Sequence, residues 1–206
     1  APVVLGAPQT FVIGDMPFGS YNVSVAQAIE SANRILMETN CDAVKLEGGK
    51  DMAPAVESMV KAGISVVGHI GLTPQTSVSF GGFKVQGGTP ESAVALIEDA
   101  KALEAAGAIG IVVECVPSVV AKAMTEAVSI PIMGIGAGPD VDAQVMVTQD
   151  LLGMYGDFKP KFVKHFANIR EEMIKGLNEF HTESLSGAFP TPEFSFNKAI
   201  ELPRGY

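Results

Sequence analysis

The sequence predicts an α/β fold in which a helix-covered parallel sheet curls into a barrel. Three observations lead there. Short β-type apolar runs alternate with longer stretches of helical period. The runs carry apolar residues at successive positions, as strands buried on both faces do. Ionisable residues recur at the C-terminal ends of four of these runs, the face on which a (β/α) barrel gathers its active site.

The runs fall in order at Thr10–Asp15, Ala43–Glu47, Ser65–His69, Ile109–Glu114, Pro131–Ile135 and Gln144–Thr148, which makes six predicted strands. A doubly wound sheet also accommodates six, so the strand-end residues decide for the barrel. Between the first two runs, Val25, Ala28, Ile29, Ala32, Ile35 and Leu36 form one helical stripe. Ala93, Leu96, Ile97, Ala100, Leu103 and Ala106 form another, with Thr89 placed to cap it and Pro90 at its first position. Gly63 and Gly107 stand between helix and strand, where a left-handed residue ends a helix. From about residue 160 the pattern becomes one long helix with Phe162, Phe166, Ile169, Met173 and Leu177 on its apolar side. A tail rich in Pro and Phe, Phe189 to Phe196, follows as a packing arm or a disordered end. Residues 1–206 read as a single barrel domain, with this helix and tail as its C-terminal part.

Composition bounds the function. The 206 residues are 47% hydrophobic and 18% charged, as expected of one domain with a sizeable core. With 23 acidic against 14 basic residues the net charge is −9, and no basic stripe offsets it, which argues against nucleic acid as a partner. No apolar run reaches membrane-spanning length. The opening Ala1-Pro2-Val3-Val4-Leu5 is too short, and lacks the positive flank, for a signal peptide. The two cysteines, Cys41 and Cys115, make neither a disulfide framework nor a zinc site. Both are expected to be reduced, buried thiols in a cytoplasmic protein.

Asp15, Glu47, His69 and Glu114 close four runs, and four such groups converging on one barrel face describe a reaction site. Lys45 and Glu47 are two apart on one strand and point to the same face. They form either a structural ion pair or a substrate-gripping lysine beside a metal-binding glutamate. Asp15 and Glu47 are hard oxygen donors of the kind Mg²⁺ accepts, although two carboxylates alone are a weak metal signal. Glu114, in apolar surroundings, suits a general base for a carbon acid. His69 reads equally as a hydrogen-bonded core residue or a catalytic one. Gly134-Ile135-Gly136-Ala137-Gly138 lacks the full dinucleotide pattern. The segment from Gly71 to Gly88 is long for a βα connection and reads as a functional loop.

Six motifs resemble, in order, those of the ketopantoate hydroxymethyltransferase family: Gly14-Asp15-Met16-Pro17-Phe18, Val44-Lys45-Leu46-Glu47-Gly48-Gly49, Gly68 to Gln75, Lys84-Val85-Gln86-Gly87, Glu114-Cys115-Val116-Pro117 and Gly134 to Gly138. The resemblance runs from about Gly6 to Phe196. It implies a (β/α)8 barrel of which this chain carries the third to eighth strands, without the first two βα units and their Gly-Asp-Ser motif. It also implies transfer of a hydroxymethyl group from 5,10-methylenetetrahydrofolate to 3-methyl-2-oxobutanoate through a metal-stabilised enolate, giving 2-dehydropantoate for pantothenate biosynthesis. In that reading Asp15 and Glu47 hold Mg²⁺, Asp15, Lys45 and His69 contact substrate, and Glu114 takes the C3 proton. The family also implies a homo-oligomer, a decamer. Gln149 and Phe194 stand where the family usually has His. The alternatives are another Mg²⁺-dependent 2-oxo acid lyase of the same superfamily, a metal-free aldolase using Lys45 as Schiff-base lysine, or an inactive, self-associating fragment.

Overall fold

The computed structural model describes residues 2–156 and 159–201. A short α1 (Pro2–Gly6) precedes β1 (Ile13–Asp15). There follow α2 (Val25–Thr39), β2 (Ala43–Lys45), α3 (Ala53–Lys61), β3 (Val66–Gly71), α4 (Pro90–Ala105), β4 (Gly110–Glu114), α5 (Ser118–Ala127), β5 (Ile132–Ile135) and β6 (Ala143–Gln144). All neighbouring strands are parallel and lie in chain order, β1 through β6. Sequential parallel order with helical crossovers is how a (β/α) barrel wall is built. The predicted barrel is met only in part, because no pairing of β6 with β1 closes the sheet among the described residues.

The helices form where their caps and stripes direct. The Ser24 hydroxyl accepts the Gln27 N–H at the start of α2, and Asn40 ends it in the left-handed region at φ 55°. Ala28 and Ala32 bring its inner face onto the sheet. At α4 the predicted cap is present as a reciprocal box between Thr89 and Ser92, with Pro90 in the first turn. A Cβ on Gly68 would lie 2.6 Å from Leu103, so this glycine in β3 is what lets α4 approach. Gly63 and Gly107 take φ values of 87° and 92° just before β3 and β4, as expected. Behind the sheet, Val44, Val56, Met59, Val66, Ile111 and Ile132 make a fully buried core.

Several boundaries differ from the sequence reading: β2 ends at Lys45 and β3 continues to Gly71, and three further differences have a visible cause. The first run extends only from Ile13, because the Asp42 carboxylate takes the Val12 N–H that would otherwise join the ladder. The sixth strand is confined to Ala143–Gln144, both exposed at the sheet's edge, and Thr148 opens α6 (Thr148–Leu151) instead. The long helix starts later than expected, as α7 (Ile169–Ser186). Phe162 and Phe166 precede it, and Phe166 donates its N–H to the Leu151 carbonyl, which holds it outside the helix.

The chain divides into two compact units, Ala1–Val145 and Met146–Tyr206. The first holds the whole sheet. In the second, Phe189 lies 5.8 Å from Phe180 of α7 and 5.8 Å from Phe194, so the tail is a packing arm through this part.

Candidate active site

The strand register sorts the side chains onto two faces. Asp15 is paired with Lys45, Lys45 with Val67, His69 with Val112, and Gly71 with Glu114. Paired residues and residues two apart share a face. Asp15, Lys45, His69 and Glu114 therefore stand on one side, opposite the helix-packed face of Val44, Val66, Ile111 and Val113. The helix-packed residues are buried, whereas Asp15 is exposed and Lys45 and Glu114 are half-buried, so the second face is open enough to admit a ligand.

The five candidate residues form one continuous cluster. Lys45 Nζ lies 2.9 Å from Asp15 Oδ1, 3.7 Å from Glu47 Oε1 and 3.2 Å from His69 Nδ1. His69 Nδ1 is also 3.6 Å from Glu47 Oε1, and its Nε2 is 3.2 Å from Glu114 Oε2. Two positions depart from expectation, and both are buried: Glu47 lies two residues beyond the end of β2, and His69 lies within β3, two residues before its end. The antiparallel bridge between Gly48 and His69 folds the segment after β2 over it, which brings Glu47 into the same cluster.

These contacts assign the imidazole. An ammonium group donates and cannot accept, so Nδ1 facing Lys45 is the lone-pair nitrogen and Nε2 carries the proton. That N–H is within reach of Glu114 but poorly aligned with it, and it is left without a hydrogen-bond partner although buried. A buried donor without a partner is costly. A substrate oxygen bound between His69 and Glu114 would relieve it.

Glu47 is the most deeply held carboxylate, with its side chain 4% exposed. Its Oε2 accepts the Gln75 N–H at 3.0 Å, and its own backbone N–H donates to the Tyr21 hydroxyl at 3.3 Å. Tyr21 and Gln75 did not stand out as site residues in the sequence. Gln75 lay inside the flagged Gly71–Gly88 loop, but nothing in the spacing marked Tyr21. Burial, more than its neighbour Glu47, pushes the Tyr21 phenol above its ordinary range, so it remains a neutral donor.

Two sequence features acquire structural explanations. Cys115 adopts φ 49°, and burial pushes its thiol up to about 11, so it is not an available nucleophile. A Cβ on Gly138 would meet Ser118 at 2.4 Å, so that glycine serves the packing of the loop against α5. Cys41 is buried, as expected.

As for a metal, no three or more His, Cys, Asp or Glu side chains among the described residues are placed to hold one ion between them. The chain offers Asp15 and Glu47, two oxygen donors that share one cation, the Lys45 ammonium. This donor set fits Mg²⁺, which binds through one or two carboxylates and completes its shell with water and substrate oxygens. It does not fit a closed structural site.

Comparison with known proteins bears on the whole constellation. The chain is 56% identical over 201 residues to 3-methyl-2-oxobutanoate hydroxymethyltransferase of Heliobacterium modesticaldum, covering 98% of this chain and 73% of that protein. It is 52% identical to the enzyme of the same name from Syntrophobacter fumaroxidans, covering 96% and 70%, and 50% identical to that from Clostridioides difficile, covering 93% and 70%. Among solved structures, phosphonopyruvate hydrolase superposes with a TM-score of 0.47 at 11% identity over 88% of this chain and 65% of that one, a likeness too slight to argue from. The model of one family, ketopantoate hydroxymethyltransferase, matches residues 1–192, and the chain belongs to that family.

Proposed function

We infer that this chain is a 3-methyl-2-oxobutanoate hydroxymethyltransferase, and that the cluster around Lys45 carries the reaction. The observation that supports it best is the chain of contacts Asp15–Lys45–His69–Glu114, with Glu47 against both Lys45 and His69. It sets a cation-binding end beside a carboxylate free to take a proton. We take residues 1–206 as one catalytic domain on a (β/α)8 plan, with the six strands as part of its wall.

Asp15 and Glu47 would hold Mg²⁺. When bound, the ion supplies Lewis-acid stabilisation of the negative charge that proton loss delivers to the 2-oxo oxygen. The remaining work belongs to this chain's side chains. Lys45 provides positive charge for the substrate's carboxylate end, beside Asp15. Glu114 takes the proton from C3, and the C–H electron pair passes toward the carbonyl. The His69 Nε2–H donates to substrate oxygen next to that base. The nucleophilic C3 then bonds to the one-carbon unit of 5,10-methylenetetrahydrofolate. Both bonds from that carbon to the folate nitrogens break, water supplies the hydroxyl, and the two nitrogens take up the C3 proton and the second water proton as tetrahydrofolate leaves.

A metal-free Schiff-base route is less well supported, because Lys45 Nζ is already engaged by two carboxylates and a histidine and is not free to attack a carbonyl. The proposed location is the cytoplasm, and no helix among the described residues is long and apolar enough to cross a membrane. The homo-oligomer, a decamer by resemblance, is part of the proposal and is read by light scattering. The test of function is 2-dehydropantoate formation from the two substrates, with and without chelator. Product that requires Mg²⁺ supports the reading. Product undiminished by chelator, with borohydride trapping substrate on Lys45, replaces it by the lysine route, and no product at all leaves an inactive fragment.

A further inference from the structure

Gln75 touches segments that follow two other strands, and it does so through both backbone and side chain. Its backbone N–H donates to Glu47 Oε2 at 3.0 Å, just past β2. Its Nε2 donates to the Met16 carbonyl at 2.9 Å, just past β1. Its Oε1 accepts from the Tyr21 hydroxyl at 2.7 Å, and that hydroxyl oxygen accepts the Glu47 backbone N–H. Gln75 itself is the second residue of the 3-10 segment Pro74–Phe80 beyond β3. Met16 and Tyr21 are buried, so the anchors do not move freely.

The chemistry of this knot calls for an amide. One end must donate to a carbonyl and the other accept from a hydroxyl, which neither glutamate nor lysine can do together. The consequence falls on Glu47. With Oε2 taken by Gln75, only Oε1 faces Lys45 and His69. We infer that Gln75, braced by Tyr21 and Met16, is a positioning residue that holds Glu47 with a single oxygen forward for a divalent cation. It thereby couples the Gly71–Gly88 loop to cation binding. The inference rests on the reading of Glu47 as a metal-holding residue. It assigns Gln75 no contact with substrate.

The test uses Mn²⁺ as the probe, titrated by its free-ion EPR signal into the parent protein and into Gln75→Met, Tyr21→Phe, the double variant and Glu47→Gln. Melting temperatures are taken without metal alongside. Gln75→Met keeps the side chain's length and loses both of its polar contacts. It is expected to bind Mn²⁺ about tenfold more weakly, as removal of a support for a ligand does. Tyr21→Phe should shift affinity the same way, and the double variant should be little weaker than Gln75→Met, because both act through one contact. Parent-like affinity in Gln75→Met and Tyr21→Phe overturns the inference, as does a loss accounted for by the unfolded fraction. If Gln75→Met does not fold, Tyr21→Phe decides alone. A parent that fails to bind Mn²⁺, or a Glu47→Gln variant that binds it unchanged, sinks the metal reading itself and this inference with it.

Discussion

Lys45 has three ionisable neighbours within 4 Å, and two of them, Glu47 and His69, are buried. Replacing it with Met leaves the Glu47 carboxylate without its cation, and breaking such a buried pair costs about 3–5 kcal/mol. Urea unfolding of Lys45→Met should show a loss of that order, and a loss near zero would mean that Glu47 is solvated after all. Cys115 gives a pH signature. Its thiol keeps the proton up to about 11 in the folded chain, against an ordinary value of 9.0. The unfolded chain therefore releases that proton first, and stability falls as pH rises past 9.0 and through about 11. Denaturant midpoints followed from neutral to alkaline pH should fall more steeply for the parent than for Cys115→Ala. At this scale the sequence was informative about chemistry and less so about placement. Asp15 and Glu114 close their strands as read, because a charged side chain naturally marks where a buried strand leaves the core. His69 does not, since nothing local distinguishes a mid-strand histidine from a terminal one when Ile70 and Gly71 continue the apolar run. Tyr21 and the role of Gln75 were hidden for another reason: their contacts span 54, 28 and 59 residues of chain.

Among the elements, α4 was the most legible, and its cap offers a direct check. Thr89 and Ser92 satisfy each other's backbone N–H groups at its first turn. Thr89→Ala should cost about 0.5–2 kcal/mol, measured by chemical denaturation, with no change in metal affinity. Legibility elsewhere followed the source of the ordering. Stripes at Ala28 and Ala32 or at Ala100 and Leu103 are encoded locally, and those helices appear where the period puts them. The ends of β1, β6 and α7 are set by long-range partners: the Asp42 carboxylate for Val12, a sheet edge for Gln144, the Leu151 carbonyl for Phe166. No periodicity carries that information. No apolar stripe marked the shorter α3 and α5, because nine or ten residues span too few turns to establish one.

For the whole molecule, the parallel order of six strands follows from alternation alone, since each βα unit returns the chain to the same sheet with the same hand. Barrel closure is a property of strand number and register around the full ring, and six strands in this chain leave the sheet open among the described residues. The site nevertheless assembles, because Asp15, Lys45, Glu47, His69 and Glu114 come from four adjacent strands and their extensions and need no closing pair to meet. We propose that this cluster removes the C3 proton of 3-methyl-2-oxobutanoate with Glu114 as base. The most direct measurement is exchange of that proton in D₂O, followed by NMR, for the parent and Glu114→Gln with and without Mg²⁺; no folate is needed. The expected result is Mg²⁺-dependent exchange that slows about 10²- to 10⁴-fold in Glu114→Gln. Exchange at the parent rate in Glu114→Gln, or none in the parent with Mg²⁺ present, would contradict it.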